Sequence, residues 1–161
     1  MEKRPSQVSR WVDHIWSAIG VTVGASHDGT SQDGTSKDNR DTPSITRLEE
    51  GVELHIFSGF QVKLYVDECD SYYHNLVSPS PHCYVVVRQN EDEAPAPFLV
   101  SLSFDEADAY AEGDDEVFAV AIPPELYRWS EAFVLAHYCP QQRKKRKRQD
   151  WWENESRHHR Q

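Results

Sequence analysis

Cysteine and histidine are the side chains in this sequence with the most obvious catalytic potential, and two such pairs lie close together. His82 is adjacent to Cys83, and His137 lies two residues before Cys139. Nucleophilic catalysis by a thiolate needs a base within hydrogen-bond reach of the sulfur. Adjacent residues on a strand point to opposite faces, and residues two apart on a helix do not face each other. The spacing therefore predicts no Cys–His dyad, no catalytic residue and no enzymatic activity.

Motifs that hold phosphates or metals are also missing from the sequence. It contains no phosphate-binding or dinucleotide glycine motif, no Gly-x-Ser-x-Gly elbow, no Cys-x-x-Cys and no His-Glu-x-x-His. The pairs Asp13-His14 and His158-His159 are the remaining candidate metal ligands. A polar strand edge and a solvated terminus explain both pairs, so we expect no metal site and no cofactor.

A basic run near the C-terminus is the clearest interaction signal, and two adjacent tryptophans follow it. The predicted partner-binding residues are Arg143, Lys144, Lys145, Arg146, Lys147, Arg148, Trp151 and Trp152. Such a segment can bind phosphates, anionic lipid or an acidic protein surface, with the tryptophans as apolar anchors. Two alternatives stay open, a tail that only solvates the protein and a tail that folds back onto the oppositely charged body.

The rest of the chain is strongly acidic. The net charge is −10, so −16 remains once the six basic residues of the run are set aside. Residues 89–127 contain no Lys, Arg or His but eleven Asp and Glu. A body of this charge repels phosphate backbones and anionic lipid, so any nucleic acid must be met by the tail alone.

The 161 residues suit one domain. We expect a single α+β domain over residues 1–139, with a disordered Gly-, Ser- and Asp-rich insert at 24–44 and a flexible basic tail at 140–161. No apolar run reaches the roughly 20 residues that span a bilayer, and the first residues do not resemble a secretory signal. Three widely spaced cysteines fit a reducing compartment. These features predict a cytoplasmic protein.

Periodicity predicts the elements of the first half. Residues 8–23 show helical spacing at first and β-branched alternation later, and we favour an extended segment over a short helix. Alternating apolar residues at 52–56 and 60–66, with Ser58-Gly59 between them, predict a β-hairpin. A helix then runs from Asp67, its predicted N-cap, to Leu76.

The second half alternates strands and helices. We predict a central strand at 82–88, a partner strand at 98–102, a helix capped by Ser103 and a strand at 117–122. A last helix opens at Pro123-Pro124. Its predicted buried stripe is Leu126, Trp129, Phe133 and Ala136. The fold class is therefore α+β, with a mixed or mainly antiparallel sheet of about five strands and two or three short helices.

Several segments occur in an order that resembles a proteobacterial family of proteins of unknown function. They are Arg10-Trp11 to Trp16, Leu64-Tyr65-Val66-Asp67-Glu68, Asn75-Leu76, Ser78-Pro79-Ser80-Pro81, Glu112-Gly113-Asp114-Asp115-Glu116-Val117, Pro123-Pro124-Glu125 and Lys145-Arg146-Lys147-Arg148. The resemblance covers most of the chain outside residues 24–44. It implies an extended first segment and genes beside those of a molybdenum-containing formate dehydrogenase and its dedicated chaperone. It implies no catalytic residues.

Two functions from different classes follow. The first is a non-enzymatic accessory protein that binds a formate dehydrogenase subunit or its maturation machinery. The second is a nucleic-acid-binding regulator that acts through the basic tail. The acidic body favours a protein partner.

Overall fold

The computed structural model describes residues 1–6, 13–24, 43–48, 51–90 and 93–140, and within them it confirms the α+β class. The strands are β1 (Glu2–Pro5), β2 (His14–Ser17), β3 (Ser44–Arg47), β4 (Glu53–Ile56), β5 (His82–Asn90), β6 (Glu93–Ser101) and β7 (Glu116–Ala121). The helices are α1 (Cys69–Leu76), α2 (Phe104–Glu112) and α3 (Pro124–His137). None of these helices is long and apolar enough to cross a membrane. The bulk of the predicted insert and of the tail lies outside the described residues.

The predicted single sheet of five strands is replaced, within the described residues, by two antiparallel sheets of four and three strands. The four-stranded sheet has the order β2-β1-β4-β3. Its strand β1 has no signature in the sequence, because a charged segment ending in proline is a poor strand former. Long-range pairing holds it in place, with Glu2 opposite both Ser17 and Leu54. Ser44, the last residue of the predicted insert, opens β3.

The N-terminus is tied into this sheet by its own amine. Met1 is buried, and its ammonium group donates a hydrogen bond to the His55 carbonyl oxygen at 2.6 Å. Burial lowers the pKa of the amine from its ordinary value. The described part of residues 8–23 contains β2 and no helix, which confirms the extended interpretation there.

The predicted hairpin at 52–66 is wrong, although Gly59 takes the positive φ predicted for it. Gly59 has a φ of +87°, a conformation that glycine adopts at no steric cost. The neighbours of β4 are β1 and β3, however, and residues 60–65 form no strand. Phe60, Val62 and Leu64 still turn towards the core from an extended chain. For residues 60–64, the alternation of apolar residues correctly predicted which side chains face the core, but it could not predict which strands pair with β4.

The three-stranded sheet confirms the predicted centre of the fold. Its order is β6-β5-β7, so β5 has a hydrogen-bonded neighbour on each side. Cys83, Val85 and Val87 of β5 belong to the main apolar cluster, and Val86 between them is fully buried as well. Burial on both faces explains why β5 reads as a continuous apolar run. The cluster is completed by Met1, Tyr72, Leu76, Val100, Leu102, Val120, Leu126 and Val134.

Helix α1 starts differently from the prediction. A 3₁₀ turn at Val66–Glu68 precedes it, so Asp67 lies inside a helical turn and is not the N-cap. Tyr72 anchors the helix in the core, and its hydroxyl accepts a hydrogen bond from the Tyr65 backbone N–H at 3.3 Å. Burial is the main cause that raises the pKa of Tyr72 to about 12.

Helix α3 begins as predicted at the double proline, and its predicted buried stripe is correct in part. Leu126 is buried and Phe133 packs against the core, but the buried side is rotated by about a quarter turn from the predicted stripe. The buried residues are Leu126, Ser130 and Val134, whereas Trp129 is 47% exposed and Ala136 is exposed. Ser130 can face the core because its hydroxyl donates a hydrogen bond to the Leu126 carbonyl oxygen at 2.9 Å. Ser130, whose hydroxyl is hydrogen-bonded within its own helix, is therefore buried, whereas apolar periodicity predicted burial of Trp129.

Candidate functional site

The residues predicted to bind a partner lie beyond the part of the chain that the structure describes. They are Arg143, Lys144, Lys145, Arg146, Lys147, Arg148, Trp151 and Trp152. The described chain ends at Pro140, so their assignment remains a prediction. What the structure does provide is the surface from which this segment departs and the chemistry of the body next to it.

The cysteine–histidine pairs do not form dyads. Cys83 is completely buried, and burial raises the pKa of its thiol to about 12. The neighbouring His82 ring instead has its Nε2 3.4 Å from the Ser80 hydroxyl. All three cysteines are free, and Cys139 is the exposed one. Among the described residues, no hydrogen bond joins a cysteine to a histidine.

The candidate metal ligands are not gathered into a site either. Asp13 and His14 are exposed at the edge strand β2, and His158 and His159 lie outside the described residues. Within the described ranges, no group of three His, Cys, Asp or Glu side chains is placed to hold a metal ion.

The outer face of α3 exposes two large apolar side chains, and Glu125, Arg128 and Glu131 are exposed on it as well. Trp129 is 47% exposed and Leu135 is 81% exposed, and the exposed Ala132 and Ala136 lie beside them. Residues spaced by three, four or seven share one side of a helix, so Trp129, Ala132 and Ala136 lie together, and Leu135 borders Ala132 beside the exposed Arg128. We call Trp129, Ala132, Leu135 and Ala136 the α3 stripe. Exposed apolar side chains that lie together on one helix face are candidates for a docking surface.

The C-terminal end of α3 is fastened to α1 immediately before the basic run. The Tyr138 hydroxyl donates a hydrogen bond to Asp70 Oδ1 at 2.9 Å, which raises the pKa of Tyr138. The Tyr138 ring also stacks on Tyr73, with ring centroids 4.6 Å apart. This contact fixes the place from which the following residues leave the body.

A cleft of about 560 Å³ opens beside this contact. Its walls come from α1, the turn that follows α1, the start of β5 and the start of α2. Asp70 and Asp105 lie on its rim, and Ser71 and Asn75 lie buried on its floor. We call this space the α1–α2 cleft.

Asn75 holds the floor of the α1–α2 cleft together. Its side-chain amide donates to the carbonyl oxygens of His82 at 2.8 Å and Leu102 at 2.9 Å, and its oxygen accepts from the His82 N–H at 3.0 Å. One buried side chain therefore connects α1 to β5 and to the segment that enters α2. Three satisfied hydrogen bonds explain why an amide is tolerated there.

A second buried network joins the two helices. The Ser103 hydroxyl caps α2 by accepting from the Glu106 N–H at 3.1 Å, as predicted, and donates to Glu68 Oε2 at 2.6 Å. Ser71 accepts from the Asp105 N–H at 3.3 Å. Sequence reasoning missed Ser71, Asn75 and Glu68. Ser71 and Asn75 are four apart on α1, so a polar stripe within a buried helix was the available signal.

Over the described residues, these features define an α+β fold of two antiparallel sheets and three helices, with a polar cleft and exposed apolar side chains on one helix. A family model with the description "Protein of unknown function (DUF3305)" matches residues 1–148. The chain belongs to this family. The matched region includes the basic run and ends before Trp151. Neither a comparison with curated proteins nor one with solved structures gave a significant match.

Proposed function

We propose that this protein is a non-enzymatic, cytoplasmic accessory protein that binds a protein partner through the α3 stripe and the basic tail. The exposure of Leu135 on α3 is the observation that carries the proposal, since 81% of a leucine faces solvent at the end of a helix whose opposite side is buried. Covering such a side chain contributes about 1.5–3 kcal/mol, which a partner surface can supply.

The chemistry of the binding segment defines the chemistry of the partner. The α3 stripe presents side chains at helical spacing, which is the pattern of a helix that lies in an apolar groove. Six positive charges begin three residues after the last described residue, Pro140. The partner that fits is a protein with an apolar groove bordered by carboxylates. A formate dehydrogenase subunit or its maturation machinery is our specific proposal, and it rests on the gene neighbourhood that the resemblance implies.

The two parts of the surface have different kinetic roles. Long-range attraction by the basic run increases the rate of encounter, and this effect weakens as salt screens the charges. Burial of Trp129, Leu135, Trp151 and Trp152 in the complex slows dissociation, because aromatic and large aliphatic anchors dominate interface energy. Changes in the α3 stripe are therefore expected in the off-rate, and changes in the basic run in the on-rate.

The test measures binding of the full chain to the purified dehydrogenase and to its maturation chaperone by surface plasmon resonance. A Trp129→Ala and Leu135→Ala double variant should raise the off-rate about tenfold or more. Ile45→Ala is the matched control, because Ile45 is an exposed apolar residue of β3, in the four-stranded sheet. Replacing the six basic residues by Gln should slow association and reduce its salt dependence.

Three results would contradict the proposal. One is equal affinity for the double variant and the unaltered chain, and another is equal affinity for a chain that ends at Gln142. The third is tail-dependent binding to DNA whose affinity falls steeply with salt, which supports the nucleic-acid alternative. The acidic body opposes that alternative, since residues 89–127 carry no positive side chain.

A further inference from the structure

Just beyond the C-terminal end of α2, a carboxylate and an aromatic ring hold Arg88. Arg88 makes two parallel contacts to Asp115, with Nε 3.1 Å from Oδ1 and Nη2 3.1 Å from Oδ2. Its guanidinium carbon also lies 4.3 Å from the centroid of the Phe98 ring. A paired carboxylate and an aromatic face together recognise the flat, charged guanidinium group.

The other end of α2 also presents an aromatic ring and a carboxylate, at the consecutive residues Phe104 and Asp105. Phe104 is 55% exposed at the mouth of the α1–α2 cleft, and its ring meets Tyr84 edge-on with centroids 6.1 Å apart. The next residue, Asp105, lines the same cleft. No Lys or Arg is among the described residues that line the cleft, and none of the described cations forms an ion pair with Asp105.

The remaining polar side chains of the cleft also favour a cationic ligand over an anionic one. The buried Ser71 and Asn75 already use their hydrogen-bonding atoms within the protein. Asp70, on the rim of the cleft, accepts from Tyr138 and lies 3.7 Å from the Nε2 atom of His74. Two carboxylates and no lysine or arginine disfavour an anionic ligand. Ser80 and His82 contact each other at 3.4 Å. Among the lining residues, the carboxylate of Asp105 and the exposed ring of Phe104 are the features that a flat cation can use.

We propose that the α1–α2 cleft is a binding site for an alkylguanidinium group, which is the end of an arginine side chain. The guanidinium plane stacks on Phe104, and its N–H groups donate to the carboxylate of Asp105. Two sources have this chemistry. One is an arginine of another molecule, and the other is the chain's own run at 143–148, which starts five residues after Tyr138, within about 18 Å of extended chain.

The site stands independently of the proposed partner, and its test uses a small probe. The full chain, labelled with ¹⁵N, is titrated with N-acetyl-arginine amide and followed by two-dimensional NMR. Saturable shifts are expected at the amides of Phe104 and Asp105, and none with the capped citrulline analogue, which has the same shape without the charge. Asp105→Asn and Phe104→Leu should each weaken binding about threefold or more. Asp108→Asn, an exposed carboxylate one turn further along α2, should leave the affinity unchanged.

A second chain, with Arg143, Arg146 and Arg148 replaced by Gln, distinguishes the two sources. Tighter binding of the probe to this chain means that the protein's own arginines occupy the cleft. Equal binding to both chains means that the cleft takes an arginine from outside. The proposal is overturned if neither chain binds the probe saturably, if citrulline binds as well as arginine, or if Asp105→Asn has no effect in the chain that binds.

Discussion

Replacing Asn75 should show how much of the fold depends on one buried amide. Asn75→Ala removes two donor bonds, of 2.8 and 2.9 Å, and one acceptor bond of 3.0 Å. Each such bond contributes about 1 kcal/mol net, and stranded buried peptide groups add to the loss. We therefore expect the free energy of unfolding to fall by about 3–4 kcal/mol, a large share of the roughly 5–15 kcal/mol that a domain has.

Asn75→Asp tests the donor role separately, because aspartate has nearly the same shape. It keeps the acceptor for the His82 N–H but places a carboxylate oxygen against the carbonyl oxygens of His82 and Leu102. This environment raises the folded-state pKa of the new carboxyl above its ordinary value. The stability of this variant relative to the unaltered chain is therefore greatest below the unfolded pKa, about 3.9, and is lost as pH rises through the folded pKa.

Both variants are measured by urea unfolding with circular dichroism, and the slopes of the transitions must agree before the energies are compared. His74→Ala is the control, since His74 is an exposed neighbour on α1 and its loss should change stability by about 0.5 kcal/mol or less. The reasoning fails if Asn75→Ala costs less than about 1 kcal/mol, or if the Asp variant loses the same stability at every pH.

Three further expectations follow from the described contacts. Ellman's reagent should find one fast thiol in the native protein, Cys139, and three after denaturation, because Cys69 and Cys83 are buried; a Cys139→Ser chain that still reacts fast would contradict this. Ser103→Ala should cost about 2–3 kcal/mol of unfolding free energy, since it loses an N-cap and a hydrogen bond to a carboxylate, and a cost below about 0.5 kcal/mol would be contrary. Replacing the 18 residues 25–42 by about eight Gly and Ser residues should stabilise the fold by only about 0.7 kcal/mol. Thermal melts measure this change, and a shortened chain that no longer folds would contradict the prediction.

Local signals predicted the second half of this fold because the relevant groups are close in sequence. Ser103 caps α2 by accepting a hydrogen bond from the N–H of Glu106, only three residues further along the chain. Strand β5 carries enough valine to be recognised as a central strand. Pairing over long distance was not predictable in the same way. The charged strand β1 forms only because β2 and β4 flank it, and no property of its four residues reveals that. The face of α3 was missed for a related reason, since the orientation of Trp129 depends on what packs against the helix.

The same contrast between local signals and long-range packing applies to the candidate sites. Sequence alone pointed to the basic run, because charge and composition are visible without a fold. The α1–α2 cleft could not be found in that way, since Asn75 and Phe104 are ordinary residues until α1 and α2 are brought together. The hydrogen-bond networks of Asn75 and of Ser103 bring α1 and α2 together. Both depend on polar side chains, which hydrophobic periodicity would assign to the surface. A buried polar residue on a helix is thus the feature that merits scrutiny when only a sequence is known.

The two proposals are joined by the contact between Tyr138 and Asp70, because it holds Tyr138, five residues before the basic run, beside the cleft. If the chain's own arginines occupy the cleft, only the unoccupied fraction of molecules can present a free tail, and the apparent affinity for a protein partner falls by that fraction. Asp105→Asn would then tighten partner binding while it weakens arginine binding. If the cleft takes its arginine from outside, the same substitution leaves the α3 stripe and the tail untouched, and partner binding stays the same or weakens. The sign of this one change therefore decides whether the cleft restrains the tail or contributes to the interface.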